Sequence, residues 1–132
     1  MEKQTRFTPE VINFLEKNEI FVFGSNLAGM HGGGAARTAL KWGAIMGQGV
    51  GLQGQTYAIP TMFRTVEEIK PYVNDFIDLA KNHPEYRFLV TKIGCGIAGF
   101  SEKEIAELFV LVVQEDIKNI VLPEEFASIL KI

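Results

Sequence analysis

Four short runs of this chain are apolar almost without a break: "EIFVFG" (Glu19 to Gly24), "TYAIP" (Thr56 to Pro60), "RFLVTKI" (Arg87 to Ile93) and "NIVLP" (Asn119 to Pro123). A strand with one face in water alternates polar and apolar residues. A strand that is apolar throughout is covered on both faces, as in a mainly parallel sheet. Helical patterns separate these runs. Thr8-Pro9 suits a helix start with Pro at the first helical position, and Ile12 and Leu15 give it a short apolar face. Gly34 to Trp42 reads as a helix. Thr65-Val66-Glu67-Glu68 is a capping-box pattern opening a helix with Ile69, Val73, Phe76, Ile77 and Ala80 at helical spacing, which stops before Pro84. Ser101-Glu102-Lys103-Glu104 is a second capping box, ahead of Ile105, Leu108, Phe109 and Val112. Pro123 opens a last short helix. Gly43 to Gln55, with five glycines, reads as a loop. The order α-β-α-β-α-β-α-β-α predicts a single three-layer α/β domain over residues 1–132, with a mainly parallel central sheet.

The remaining bulk properties narrow the partners. A chain of 132 residues, 47% hydrophobic, can bury a real core. Its net charge of −3 argues against non-specific nucleic-acid binding, which favours a basic surface. A single nucleotide is still allowed, because backbone N–H groups can hold its phosphates. Cys95 is the only cysteine, and with His31 and His83 it cannot build a usual structural zinc site. The sequence calls for no metal and no cofactor. The stretch "MEKQTRFTPEVINFLEK" lacks the apolar core of a signal peptide, and no run approaches a membrane span. The expectation is a soluble, cytoplasmic protein without a membrane partner.

In a parallel sheet of this kind, ligands sit outside the carboxyl ends of the strands. Three strand ends here run into distinctive loops: Gly24 to Gly34, Pro60 to Thr65, and Gly94 to Phe100. The first has the glycine spacing of a P-loop, but Met30-His31 stand where Lys and Ser/Thr are needed to reach phosphate and magnesium. Two segments match G-x-G-x-x-G. Gly49 to Gly54 precedes a strand, so it lacks the dinucleotide-fold context. Gly94 to Gly99 follows a strand and opens a helix, with Glu124 beyond the next strand. Too few strands remain for a Rossmann domain, whose fingerprint belongs in the first βα turn. The shared physics is that glycines let backbone N–H groups converge on an anion; the alternative is that they only permit tight turns and close packing.

Several side chains near these loops could carry chemistry. His31, in the glycine loop, could orient a water or contact a ribose hydroxyl; equally it could face solvent. Cys95 could be a nucleophile at a helix N-terminus, though a small buried residue under the loop is the better reading. Lys92 could attack a ribose, but a strand-end charge is favoured. Arg37 and Lys41 could meet phosphate, and Trp42 or Phe63 could stack on a base. Helix surface charge and core packing are the ordinary alternatives.

Three ordered blocks are similar to the macro domain family, the ADP-ribose-binding fold. They are "VFGSNLAGMHGGGAARTALKWG", "GQTYAIPT" and "VTKIGCGIAGFSEKEIAELF", together spanning most of Ile20 to Phe109. The chain looks closest to the branch of terminal ADP-ribose protein glycohydrolases and the antitoxins that remove ADP-ribose from DNA. The resemblance implies that Asn26 and Leu27 lie along the distal ribose. It implies that Gly32, Gly33 and Gly34 pass under the diphosphate and that ribose. Gly94, Cys95, Gly96, Ile97, Ala98, Gly99 and Phe100 would wrap the diphosphate from the other side, with Phe100 against the distal ribose. Ser25, Pro60 and Thr61 complete the expected lining. An acidic residue that recognises adenine in the family has no evident counterpart in the sequence. The departures are specific. Met62 stands where the glycohydrolase branch has its attacking lysine, and Ala98 where it has an aspartate. Ala35-Ala36 stand where the other large hydrolase branch has an aspartate, and the double-acid motif of poly(ADP-ribose) hydrolases is absent. The resemblance therefore implies binding of ADP-ribose or a related nucleotide, free or conjugated to a macromolecule, rather than hydrolysis. The rival readings are an ADP-ribosyl glycohydrolase or phosphodiester hydrolase using non-standard residues, and a dinucleotide (NAD)-binding protein using Gly94 to Gly99.

Overall fold

The computed structural model describes residues 7–131; the first six residues, part of the stretch read above for a leader, lie outside the described residues. The elements in chain order are β1 (Glu19–Ser25), α1 (Gly34–Ala39), β2 (Gly51–Gln53), β3 (Thr56–Pro60), α2 (Lys70–Lys81), β4 (Arg87–Val90), α3 (Glu102–Glu107), α4 (Val110–Gln114), β5 (Ile120–Val121) and α5 (Glu124–Leu130). Short 3-10 turns occupy Leu40–Trp42 and Val66–Glu68. The strands form one five-stranded sheet in the order β2-β3-β1-β4-β5. β3, β1, β4 and β5 are parallel, and β2 runs antiparallel beside β3. This is an α/β fold with a mostly parallel mixed sheet, compatible with the three-layer arrangement the apolar runs predict.

Side-chain alternation along β1 divides the core between the two faces. Ile20 and Val22 join a large cluster with Val73, Phe76 and Ile77 of α2, Ile105 of α3, Val112 of α4 and Phe126 of α5. Phe76 lies at its centre, with ring centroids 5.0 Å from Tyr57 and 5.4 Å from Phe88. Phe21 and Phe23 join a smaller cluster with Ala36 and Ala39 of α1, Ala44 and Ala58. The small residues of α1 let this helix lie close to the sheet. Both capping sequences work as read. Ser101 Oγ accepts from the Glu104 N–H at 3.1 Å, and the Glu104 carboxylate accepts from the Ser101 N–H at 3.0 Å. The Glu68 carboxylate accepts from the Thr65 N–H at 3.0 Å.

The structure corrects the sequence reading in four places. No helix forms after Thr8-Pro9. Thr8 instead bridges to Pro123, its N–H donating to Leu122 O at 2.9 Å and its hydroxyl to Val121 O at 3.1 Å. The non-helical chain that follows lays Ile12 and Leu15 on the smaller cluster and leaves Val11 and Phe14 exposed. Two apolar residues were too little to hold a helix there. The glycine-rich segment Gly43 to Gln55 is not all loop, since it contains β2. Gln53 pairs with Thr56 across a two-residue turn whose first residue, Gly54, has φ +58, the conformation that suits glycine in such a hairpin. The helix after Ser101 breaks at Leu108–Phe109 into α3 and α4. Finally, β4 ends at Val90; Thr91 still donates its N–H to Val22 O at 3.1 Å and its hydroxyl to the same oxygen at 2.8 Å, and residues 91–93 line the cleft described next.

Candidate functional site

β1 sits in the middle of the sheet. From it the chain passes to β3 on one side; from β3 it crosses through α2 to β4 on the other. The connections leaving neighbouring β1 and β4 therefore head in opposite directions, and a crevice opens at their carboxyl ends. A cleft of about 420 Å³ occupies that crevice. Its walls include the three loops singled out in the sequence. Gly24, Ser25, Asn26, Met30 and Gly32 to Gly34 come from the first, Thr61 and Met62 from the second, and Gly94 and Gly96 to Ala98 from the third; Ala35 and Ala36 of α1 and Thr91 to Ile93 after β4, outside the loops as read, complete the lining.

Of the expected lining, Ser25, Asn26, Gly32, Gly33, Gly34, Thr61, Gly94, Gly96, Ile97 and Ala98 do line this cleft. The polar members are largely occupied with holding the loops. The Ser25 hydroxyl donates to Gly49 O, tying the end of β1 to the segment before β2. The Asn26 side chain closes its own loop: Oδ1 accepts from the Met30 N–H at 2.9 Å and Nδ2 donates to Met30 O at 3.3 Å. Thr61 N–H donates to Ser25 O at 2.9 Å, which registers the second loop on the first. Leu27, His31, Pro60, Cys95, Gly99 and Phe100 are not among the lining residues.

His31 is neither a cleft residue nor a solvent-facing one. It is 1% exposed and packs edge-on to Phe23 with ring centroids 5.2 Å apart. Its Nε2 lies 3.1 Å from Gln48 O. A carbonyl only accepts, so Nε2 carries the proton. Nδ1 is buried and has no hydrogen-bond partner. Gln48 O also accepts from Gln53 Nε2 at 3.0 Å, and Gln53 Oε1 accepts from the Ile45 N–H at 2.7 Å. His31 thus braces the glycine loop against the 44–53 segment. Cys95 and Phe100 turn inward onto the larger core cluster. Burial, with a smaller push from the Glu102 carboxylate, raises the Cys95 thiol to about 11, the opposite of an activated nucleophile. Trp42 packs on Phe21 with ring centroids 5.0 Å apart, and Phe63 stacks on Tyr72 at 5.7 Å. Arg37 and Lys41 are exposed on and just after α1 and are not among the lining residues.

Lys92 is different. It lines the main cleft and two side clefts of about 160 and 360 Å³. Its Nζ lies 3.4 Å from the Glu102 carboxylate and 3.8 Å from that of Glu125. Desolvation pulls the ammonium down, but Glu125, Glu102 and Glu10 outweigh it and hold Lys92 above its ordinary value. It is a firm cation and not a free amine nucleophile. Among the described residues no other ionisable side chain lines the main cleft. Glu10 lines both side clefts beside Lys92. The sequence reading missed its position because Thr8-Pro9-Glu10 read as a helix start.

The glycines separate by the space around them. A Cβ at Gly49 would lie 2.0 Å from Asn26 O, and one at Gly94 would lie 2.8 Å from Ile105 Cδ1. Gly49 is needed for close packing against backbone; at Gly94 the neighbour is a flexible side-chain tip, and the left-handed φ of +72 is what calls for glycine. A Cβ at Gly32, Gly33 or Gly96 would meet no atom within 4 Å. Gly33 has extended backbone, φ −161 and ψ 170, open to any residue. These three glycines border the cleft, yet neither protein packing nor a left-handed φ accounts for them. No described group of His, Cys, Asp and Glu is arranged to hold a metal ion. No described helix is long and apolar enough to cross a membrane. No protein-family model, curated protein or solved structure matches the chain.

Proposed function

We propose that this chain is a macro-like module that binds ADP-ribose, or a closely related nucleotide, in the cleft at the strand carboxyl ends. The observation that carries the reading is the bare backbone of Gly32, Gly33 and Gly96 facing empty space across one cleft. A diphosphate laid between these loops meets N–H groups without side chains in the way. The cleft volume lies within the range of small-molecule sites. Glu10, which lines the two side clefts next to Lys92, is the carboxylate we assign to recognition of the base, the role that lacked a counterpart in the sequence. Binding is favoured over hydrolysis because the described lining offers no carboxylate, imidazole or thiol as an acid, base or nucleophile. Met62, Ala98, Ala35 and Ala36, which the resemblance sets against catalytic positions of the hydrolytic branches, all line the cleft. Calorimetry with ADP-ribose, AMP and NAD tests this. ADP-ribose should bind most tightly. No heat with ADP-ribose at millimolar concentration, or tighter binding of NAD, refutes the proposal.

A further inference from the structure

The cleft wall is built from glycines, alanines, methionines and neutral polar residues, and Lys92 is its single described charge. The ammonium is held loosely. Neither carboxylate comes within the roughly 2.7–2.9 Å of a tight charge-assisted bond, whereas Lys81 closes to 2.6 Å on Glu115. The lysine follows β4, Glu102 begins α3 and Glu125 lies in the first turn of α5, so three elements meet at this one charge. The Lys92, Glu102 and Glu125 side chains are 34%, 42% and 45% exposed. Pairs this open contribute little to stability. Glu102 and Glu125 do not line the main cleft, so the ammonium turns from them to meet a ligand there; exchanging such an open pair for a phosphate oxygen is inexpensive, and the new bond is again charge-assisted.

We propose that Lys92 is the cation that meets the ligand's phosphate, and that Glu102 and Glu125 regulate affinity by competing for the same ammonium. The glycine loops give shape and neutral N–H donors; Lys92 gives the site its preference for an anion over a neutral nucleoside. The chain's net charge of −3 makes such a local cation more necessary, since no long-range field draws a phosphate in. The inference takes its ligand from the ADP-ribose reading, but the anion site can be judged with a probe that has no nucleoside.

The test uses calorimetric titration of pyrophosphate and of ADP-ribose into the wild type, Lys92→Gln, Lys92→Arg and Glu125→Gln, at low and high salt, with thermal melts to confirm folding. Lys92→Gln should weaken both probes by about tenfold or more and flatten the salt dependence. Lys92→Arg should restore most of the binding. Glu125→Gln should tighten both probes by about two- to threefold, because it removes a competitor. A merely structural ion pair predicts the opposite for Glu125→Gln, namely no gain. Binding by folded Lys92→Gln within about twofold of wild type, or no gain in folded Glu125→Gln, overturns the inference. If the wild type binds pyrophosphate but not ADP-ribose, the nucleotide reading fails, and Lys92 is judged on pyrophosphate. If the wild type binds neither, both fall.

Discussion

Replacing Gly33 by serine should stabilise the protein and damage its ligand site at once. Gly33 sits at the N-cap of α1 with φ −161 and ψ 170, and a Cβ there meets no atom within 4 Å. Serine fits that backbone and is a better N-cap than glycine by a few tenths of a kcal/mol. It also restricts the unfolded chain, which for a compatible glycine replacement is worth about 0.4–1 kcal/mol. The sum is about 1 kcal/mol of added stability. For a chain of 132 residues that raises Tm by roughly 3–5 °C. The ligand experiences the opposite. A hydroxymethyl group placed where a diphosphate rests on bare backbone is an overpacked contact costing about 1–3 kcal/mol, roughly a ten- to hundredfold loss of affinity. Differential scanning calorimetry gives the first quantity and isothermal titration with ADP-ribose the second. Gly29→Ala is the contrasting variant. Gly29 has φ +71, and its Cβ would lie 2.3 Å from Gln48 N. Left-handed strain alone costs about 1–2 kcal/mol there, and the backbone collision adds to it. That variant should melt more than roughly 10 °C lower. If Gly33→Ser keeps wild-type affinity, the glycine is not reserved for a ligand. If it lowers Tm, the open space described beside it is wrong.

Three further outcomes follow from other parts of the molecule. Phe76→Ala should cost about 3–5 kcal/mol in urea unfolding, because the fully buried ring packs against Tyr57, Phe88 and Phe109; a loss below about 1 kcal/mol would contradict that packing. Stability should fall as pH rises above about 9, because burial lifts the Cys95 thiol from 9.0 to about 11 and, helped by Asp75, the Tyr57 hydroxyl from 10.0 to about 12. Both raised groups stabilise the fold fully below their unfolded values and lose that contribution as pH climbs through the folded ones; Cys95→Ala should remove the lower-pH part of the decline, and a flat urea midpoint between pH 8 and 11 would refute it. Asn26→Ala opens the Met30 clamp; it should lower stability by about 1 kcal/mol and weaken ADP-ribose binding further than the same loss of stability at a site remote from the cleft.

The fold was legible where one signal dominated. Apolar runs buried on both faces gave β1, β3 and β4 to within a few residues, because nothing else in a chain of this composition explains "IFVF" or "YAIP". Capping boxes placed the starts around Val66 and Glu102 for the same reason: the reciprocal bonds are local. The errors arose where tertiary partners decide. Thr8 gives its hydrogen bonds to Val121 and Leu122, more than a hundred residues away, and no local pattern announces that. β2 exists because the 43–55 segment folds back on β3, and five glycines concealed its three-residue pairing.

The site was legible as a place before it was legible as a set of roles, and glycine shows why. A sequence gives every glycine the same letter, while the physics behind the letter differs. Gly49 admits a close backbone neighbour; Gly34 and Gly94 support φ +59 and +72; Gly32, Gly33 and Gly96 do neither. Only the three-dimensional surroundings sort them. Polar residues behave alike. His31 stands out in the sequence as the sole titratable group in its loop, yet its ring is spent on Gln48 O beneath the surface. Lys92 reads as an ordinary strand-end lysine, yet it lies where three clefts join because β4 stops at Val90 and the next residues line the crevice. A chemically capable residue type is thus a weaker guide than the end of a strand. Strand ends at the reversal between β1 and β4 fix which backbone faces the cleft, and the side chains that follow are free to be hydroxyl, thioether or ammonium. Affinity should accordingly depend on the bare glycines and on Lys92, and His31→Gln should reach the ligand only through the loop it braces. Its amide can keep the donor to Gln48 O, so a binding loss larger than the loss from Gly33→Ser would overturn that ordering.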